Sequence, residues 1–527
     1  MQFKIISCAL VLLLSSAAQA QISGELQSNV NFFQRDSNVK ASGNPLYNNF
    51  LSGGENWLAL RYNGNNGFNA NVRIDAFHNS NLLVPTQAYS AAGVGMFNVS
   101  KEWDGLTLTA GHIYDQIGTG ILYRAYEDRP LLIDNATFGF QAKYTFKDKY
   151  NVKTFAGQQR NLFDRYKPIL KAINVEADYD VKDVHLTPGI GVLNRTLDDV
   201  TVGNIVGEVN SKPEAERFTP TYNMYAATFY NTLTWKDFSW YFEAAVKSKD
   251  AVKTLGDVLV QRPGTCLFGT WGYARTKWGI NVSGKRTDAF VMRTTPYENP
   301  LRCFSNWQPI IALIRPQRTI ARYTPQSLDY SEFSKAANLF FVPSENYSFN
   351  ATYTHIDDLD GNKLYRELYA DAEIRSLKNF VIHAGVQVLN YNQEVYQLKG
   401  KMFNAITPFT EITYKLSEKR SIKTDIQYMA AQGDYGSWIY ALLEYDIAPK
   451  WAIAVADMYN TTAGANFAIH PDLKKQHYPN VFVAHTRNAH RFTAQYVKQV
   501  EGINCTGGVC RYEPAFSGFK FGITSSF

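Results

Sequence analysis

Hydrophobic and polar residues alternate along long stretches of this chain. Phe68, Ala70, Val72, Ile74 and Ala76 interleave with Asn69, Asn71, Arg73 and Asp75. A period of two with one apolar and one charged side is the pattern of a half-buried strand. The pattern recurs in Ile173, Val175, Ala177 and Tyr179 against Asn174, Glu176, Asp178 and Asp180, and in Leu368, Ala370, Ala372 and Ile374 against Glu367, Tyr369, Asp371, Glu373 and Arg375. Ile422, Thr424, Ile426 and Tyr428 alternate with Lys423, Asp425 and Gln427 in the same way, and no helical period competes. The runs are about 9 to 13 residues long, enough to cross a bilayer at a tilt. Soluble strands average nearer ~5 or 6.

The connectors alternate in length. Tight turns are expected at Asn63 to Gly67, Asp104-Gly105, Lys147 to Tyr150, Lys182-Asp183, Lys236-Asp237, Ser417 to Lys419 and Pro449-Lys450. Long loops are expected at 35–53, 80–92, 114–135, 195–220, 250–268, 288–335, 392–401 and 462–476. Short turn, long loop, short turn is the asymmetry of outer-membrane barrels, with periplasmic turns and extracellular loops. Aromatic residues gather beside the turns, as in Trp235, Phe238 and Trp240, or Tyr445 and Trp451, where an interfacial girdle would place them. The chain ends on Phe519, Phe521, Ile523 and Phe527 alternating with Lys520, Gly522, Thr524 and Ser526. A final strand of this kind resembles the C-terminal signal read by the barrel assembly machinery, which is thereby an expected partner.

Composition narrows the class. Aromatic residues are 14 % of the 527, charged residues only 19 %, and the mean hydropathy is −0.28. After the first twenty residues no apolar run reaches the ~20 residues of a spanning helix, which excludes a helical membrane protein. Those first twenty read as an export signal: Lys4, an apolar core from Ile5 to Leu14, and Ala18-Gln19-Ala20 as a cleavage site. Cys8 lies too early for lipidation. The formal charge of +6 comes without a basic run, so nucleic acid is not an expected partner. At about 43 residues per hairpin, the remaining 21–527 hold ~24 strands, within a range of 20 to 26. The expectation is one all-β domain, a large antiparallel transmembrane β-barrel in the outer membrane of a Gram-negative cell, with lipid as its surroundings.

The reactive residues form no catalytic set. Cys505-Thr-Gly-Gly-Val-Cys510 suits a short loop closed by a disulfide; a zinc half-site would need further ligands nearby. Cys266 and Cys303 are paired only by elimination. Gly279 to Arg286 lacks the Ser or Thr of a phosphate loop. Asp358, Asp360 and Gly361 fit a turn better than a calcium loop. No metal, cofactor or enzymatic activity is expected.

A barrel this wide has a lumen to fill, since unfilled lumens of ~16–18 strands are already aqueous channels. No plug domain precedes the first strand at Ile22 to Phe33. Loops 288–335 and 114–135 are therefore the candidate constrictions, the second carrying Arg124, Glu127, Asp128, Arg129 and Asp134 beside a Gly118-Thr-Gly120 hinge. Arg73, Asp75, Glu176, Asp178, Asp371 and Glu373 are the candidate lumen charges, and such charges set selectivity by their field.

Five segments carry a family resemblance: Asp115 to Arg129, Gly436 to Tyr445, Ala489 to Tyr496, Glu501 to Arg511 and Thr524 to Phe527. They resemble a family of uncharacterised outer-membrane β-barrel proteins of Bacteroidota, the cysteine loop most specifically. The resemblance implies fold and location and supplies no activity. Two functions follow from the barrel itself. One is a porin-like channel passing small hydrophilic solutes through a loop-constricted lumen. The other is a non-channel barrel that anchors surface loops or joins an outer-membrane assembly, secretion or uptake complex with a protein partner.

Overall fold

Strands form where the alternation places them, among them Phe68–Ser80, Asp164–Ala177, Lys363–Ile374 and Arg420–Ala431. The computed structural model describes residues 22–64, 66–254, 256–298, 304, 308–462, 475–506 and 509–527, without the side chains of 503–511. The export segment 1–20 and Cys303 lie outside the described residues. In Phe68–Ser80, Ile74 is 47 % exposed while Arg73 and Asp75 are 2 % and 1 % exposed. Apolar side chains thus stand outward and charges inward, the reverse of a soluble sheet.

One sheet contains 25 antiparallel segments, and Asp164–Ala177 with Tyr179–Val181 are a single strand interrupted at Asp178, so the wall is a barrel of 24 strands. The register puts Asp178 opposite Thr187, one position from Pro188, which has no N–H to give to the ladder. The sheet closes where Ile22–Phe33 pairs with Phe516–Ser526 from Glu25↔Ser526 to Phe33↔Gly518. Gly24 N donates to Phe527 O at 2.7 Å and Phe527 N to Gly24 O at 3.0 Å. Closure leaves no unpaired edge.

Connections at one end are tight. At Lys147-Asp148 both residues have positive φ, 53° and 51°, and Lys149 N donates to Phe146 O at 3.1 Å, the turn whose twist suits a two-residue hairpin. Aromatic rings border this end: Trp235 stacks on Phe238 at 5.7 Å, and Phe380 meets Tyr414 at 4.6 Å. Phe519, Phe521, Ile523 and Phe527 all stand on the outer face of the closing strand.

The other end departs from the expected parity. Segment 250–268 is mostly wall, because Phe238–Lys253 and Leu259–Ala274 extend it to a five-residue connection at 254–258. Asp250, Ala251 and Val252 are buried there against neighbouring loops, so their strand pairing escapes a simple alternation. Short connections also occur at 162–163, 358–362 and 432–437. Elsewhere this end carries longer structure, including helix Asp199–Asn210, whose first turn is capped by Asp198. Among the described residues no helix is long and apolar enough to cross a membrane.

Candidate functional site

Two loops turn inward and meet in the lumen. The first, 114–136, forms two small hairpins, Gln116–Ile117 with Tyr123–Arg124 and Glu127–Asp128 with Ile133–Asp134. Gly118 has φ +56° and lies so near the wall that a Cβ would meet Glu243 Oε1 at 2.7 Å. That approach lets Thr119 N and Oγ1 donate to Glu243 Oε2 at 2.9 and 2.6 Å. Ile117, Ile121, Leu122 and Tyr123 are buried against the inner-wall residues Phe155, Leu170, Leu193 and Met224. An apolar core therefore forms inside the barrel.

Beside it the charges predicted to line the lumen converge. Arg73 Nε lies 2.6 Å from Asp75 Oδ1, and its two other nitrogens lie 2.8 Å from Glu127 and 2.6 Å from Asp134. Arg160 bridges Asp75 at 3.2 Å and also pairs with Asp134, which accepts from Tyr114 Oη at 2.9 Å. Arg129 reaches across to Glu127 at 2.7 Å and Glu25 at 2.8 Å. Asp128 accepts from Leu131 N at 3.1 Å, and the Arg124 guanidinium lies 4.5 Å over the Tyr126 ring; these two hold the loop's own shape. Burial raises the Asp115 carboxyl, but Lys153 and Lys143, at 2.8 and 2.9 Å, hold it below its ordinary value. Glu243 and Glu25, at inward positions of alternating strands, were not among the expected lumen charges, nor was Arg160, which a register shift between Gln158 and Arg160 turns inward out of the alternation.

The second loop, 289–330, crosses from the strands around 240–290 to those around 365–430. At its start Lys247 Nζ donates to Val291 O at 2.9 Å and Arg195 to Thr294 O at 3.3 Å, with Arg195 also on Asp250 at 2.6 Å. At its far side Gln317 donates to Glu411 at 2.9 Å, Thr319 N to Gln427 at 2.9 Å and Tyr323 Oη to Asp434 at 2.8 Å. The Arg315 guanidinium lies 3.7 Å over the Tyr369 ring. Burial raises Asp434, and Lys399 and Arg322 more than offset this and lower it. The loops touch where Arg124 N donates to Phe304 O at 3.3 Å.

Other candidates lie apart from this junction. Glu176 accepts from Tyr230 Oη at 3.1 Å, Asp178 from Thr187 Oγ1 at 2.9 Å near a tight turn, Asp371 meets His383 at 3.2 Å, and Glu373 pairs with Arg375. They line the lumen wall without forming the constriction. Cys266 has no disulfide partner among the described residues, Cys303 lying outside them; its thiol is buried, 3.6 Å from Thr287 Oγ1, in the apolar cluster with Phe290 and Met292. A buried thiol behaves there as a small apolar side chain that fills the cluster. Cys505 and Cys510 face one another as Cα partners in hairpin Gly502–Thr506 with Val509–Glu513; their side chains lie outside the described residues. Asp358 Oδ1 accepts from Asp360 N and Asn362 N at 3.0 and 2.8 Å, a turn between strands.

The two loops leave a cavity of about 480 Å³ against the closing strands, lined by Gln27, Asn29, Asn31, Gln495 and Gln499 with Arg129, Arg318 and Lys520. It runs from Gly502 and Glu513 at the loop end down to Thr493 and Gly522 within the wall. Nearer the tight turns the inward side chains of Arg61 and Lys143 are 59 % and 47 % exposed, so the lumen opens toward that end.

A family model described as a family of unknown function, DUF6029, matches residues 1–315 and 330–527. No curated protein matches the chain. Among solved structures, it is similar to the translocation pore of the P pilus usher PapC (9 % identity, TM-score 0.45, 96 % of this chain and 99 % of that one). It is also similar to the siderophore receptor PirA of Pseudomonas aeruginosa (8 %, 0.43, 97 % and 81 %) and the FrpB iron transporter of Neisseria meningitidis (8 %, 0.40, 97 % and 83 %).

Proposed function

We propose that this chain, which belongs to the DUF6029 family, is an outer-membrane barrel that passes small hydrophilic solutes, without catalysis, through a lumen narrowed by its own loops. The observation that carries the reading is the polar cavity of about 480 Å³ left between loops 114–136 and 289–330 and the closing strands. Amide and charged side chains line it, as an aqueous path requires. In this reading residues 1–20 direct export in a bacterium of the Bacteroidota, tight turns face the periplasm, long loops face outward, and the Phe519 to Phe527 strand is offered to the assembly machinery. Purified protein in planar bilayers should give discrete conductance steps. A tight bilayer without steps overturns the reading.

A second reading has its own support. Buried ion pairs and an apolar cluster pin both loops to the wall, as suits a barrel that anchors surface loops or serves within a larger complex. Purification in gentle detergent would then yield a stoichiometric partner, and a solitary protein counts against it.

A further inference from the structure

Most arginines facing the lumen are matched: Arg73, Arg129, Arg160 and Arg195 each lie within hydrogen-bonding range of a carboxylate. Arg318 is not. It makes no hydrogen bond or ion pair with any described residue. It is exposed, but only to the interior, for it lines both the 480 Å³ cavity and an adjoining one of about 160 Å³ beside Tyr440, Asn480 and Lys498. Of the buried carboxylates on this side, Asp434 is already held by Tyr323, Gln393, Arg322 and Lys399, and Asp425 accepts from Gln427 Nε2 at 2.7 Å. Glu55, also on the cavity, accepts from Ser80 Oγ at 2.5 Å. Burial and the neighbouring Arg322 charge both push the Arg318 guanidinium down from its ordinary value. Lys520 lines both cavities, and Lys498 on the smaller one is already paired with Asp36 at 2.8 Å.

We propose that Arg318 makes this cavity a binding site for small organic carboxylates that also carry hydroxyl or amide groups. A guanidinium presents a planar fork that a carboxylate fits with two parallel bonds. An enclosed cation without a partner is unfavourable, so a ligand that neutralises it is favoured over a neutral one of the same size. Gln27, Asn29, Asn31, Gln495 and Gln499 around it supply donors and acceptors for the rest of the molecule. The volume falls within the ~300–1,000 Å³ of small-molecule pockets. The proposal takes from the passage reading only that solutes reach the lumen.

The test is calorimetric titration of the full-length protein in detergent with glucuronate and, separately, with glucose. Glucuronate should bind at least tenfold more tightly than glucose, and Arg318→Gln should remove that preference. Arg318→Lys should keep part of it, and Arg217→Gln, on an exposed loop, should leave it unchanged. Equal binding of the two sugars by the parent protein, or an unaltered preference in Arg318→Gln, overturns the proposal. Binding by a protein that is silent in bilayers refutes passage alone; conductance without glucuronate binding refutes this site alone.

Discussion

Arg73 holds three carboxylates, Asp75, Glu127 and Asp134, at 2.6 to 2.8 Å while only 2 % exposed. Removing one member of a buried ion set leaves the others uncompensated, at a cost of about 3–5 kcal/mol. Arg73→Met should therefore lower the stability of the folded barrel by about that much, read from urea unfolding in detergent; a loss under about 1 kcal/mol would mean that water replaces the guanidinium freely. Glu298 behaves differently. Burial raises its pKa to about 8, its Oε1 accepts from Thr294 N at 2.6 Å, and Oε2 has no partner among the described residues. The native loop thus holds a proton that the unfolded chain releases near ~4.3, so between these values stability falls as pH rises and is lost through about 8. Hydrogen exchange of residues 290–298, corrected for intrinsic rate, should be faster at pH 9 than at pH 6. Glu298→Gln should erase the difference, and an unchanged difference in that variant assigns it elsewhere.

At the scale of elements, the inner loop 114–136 depends on one backbone approach. Gly118 takes a positive φ and admits no Cβ beside Glu243, so Gly118→Val should undock the Thr119 contact at a cost of about 1–3 kcal/mol. Larger conductance steps in bilayers are the expected readout, and unaltered steps would show that the loop does not narrow the path. The outer hairpin gives another test. Cys505 and Cys510 are direct Cα partners, and closing so short a loop stabilises by about 2 kcal/mol. In denaturant without reductant, maleimide should label Cys266 but neither of these two; labelling of either excludes the bridge. How far such elements could be read from sequence follows from their chemistry. The wall was legible at Phe68–Ser80 because each inward charge is flanked by outward apolar residues. Asp250–Lys253 was not, since Asp250, Ala251 and Val252 are buried in succession, on both faces of the strand, and no alternation survives. Arg73, Asp75, Glu127 and Arg129 could be chosen as lumen charges, yet their meeting depends on a loop folding back by a whole strand length, which no local pattern records. Arg318 gave no local signal, because what distinguishes it is the lack of a carboxylate partner in space among the described residues.

For the whole molecule, wall and contents are held by different forces. Every strand of the barrel is hydrogen-bonded to two neighbours and the ring is closed by Ile22–Phe33 with Phe516–Ser526, so the backbone is satisfied without the loops. The loops are fixed by side chains: Lys247, Arg195 and Glu411 on the wall, Thr294 and Gln317 on loop 289–330. Replacing residues 292–327 by a short Gly/Ser linker should then leave a folded barrel. It would retain the shifted mobility of the unheated protein on a denaturing gel, because Glu411 keeps Lys423 and His383, Asp434 keeps Gln393 and Lys399, and water replaces the lost loop partners. Conductance should rise severalfold as the largest internal obstacle is removed. A variant that no longer migrates as a folded barrel would show instead that the apolar cluster joining Phe290, Met292 and Phe304 to the wall is a core the barrel needs, and would favour the filled, anchoring form over the channel.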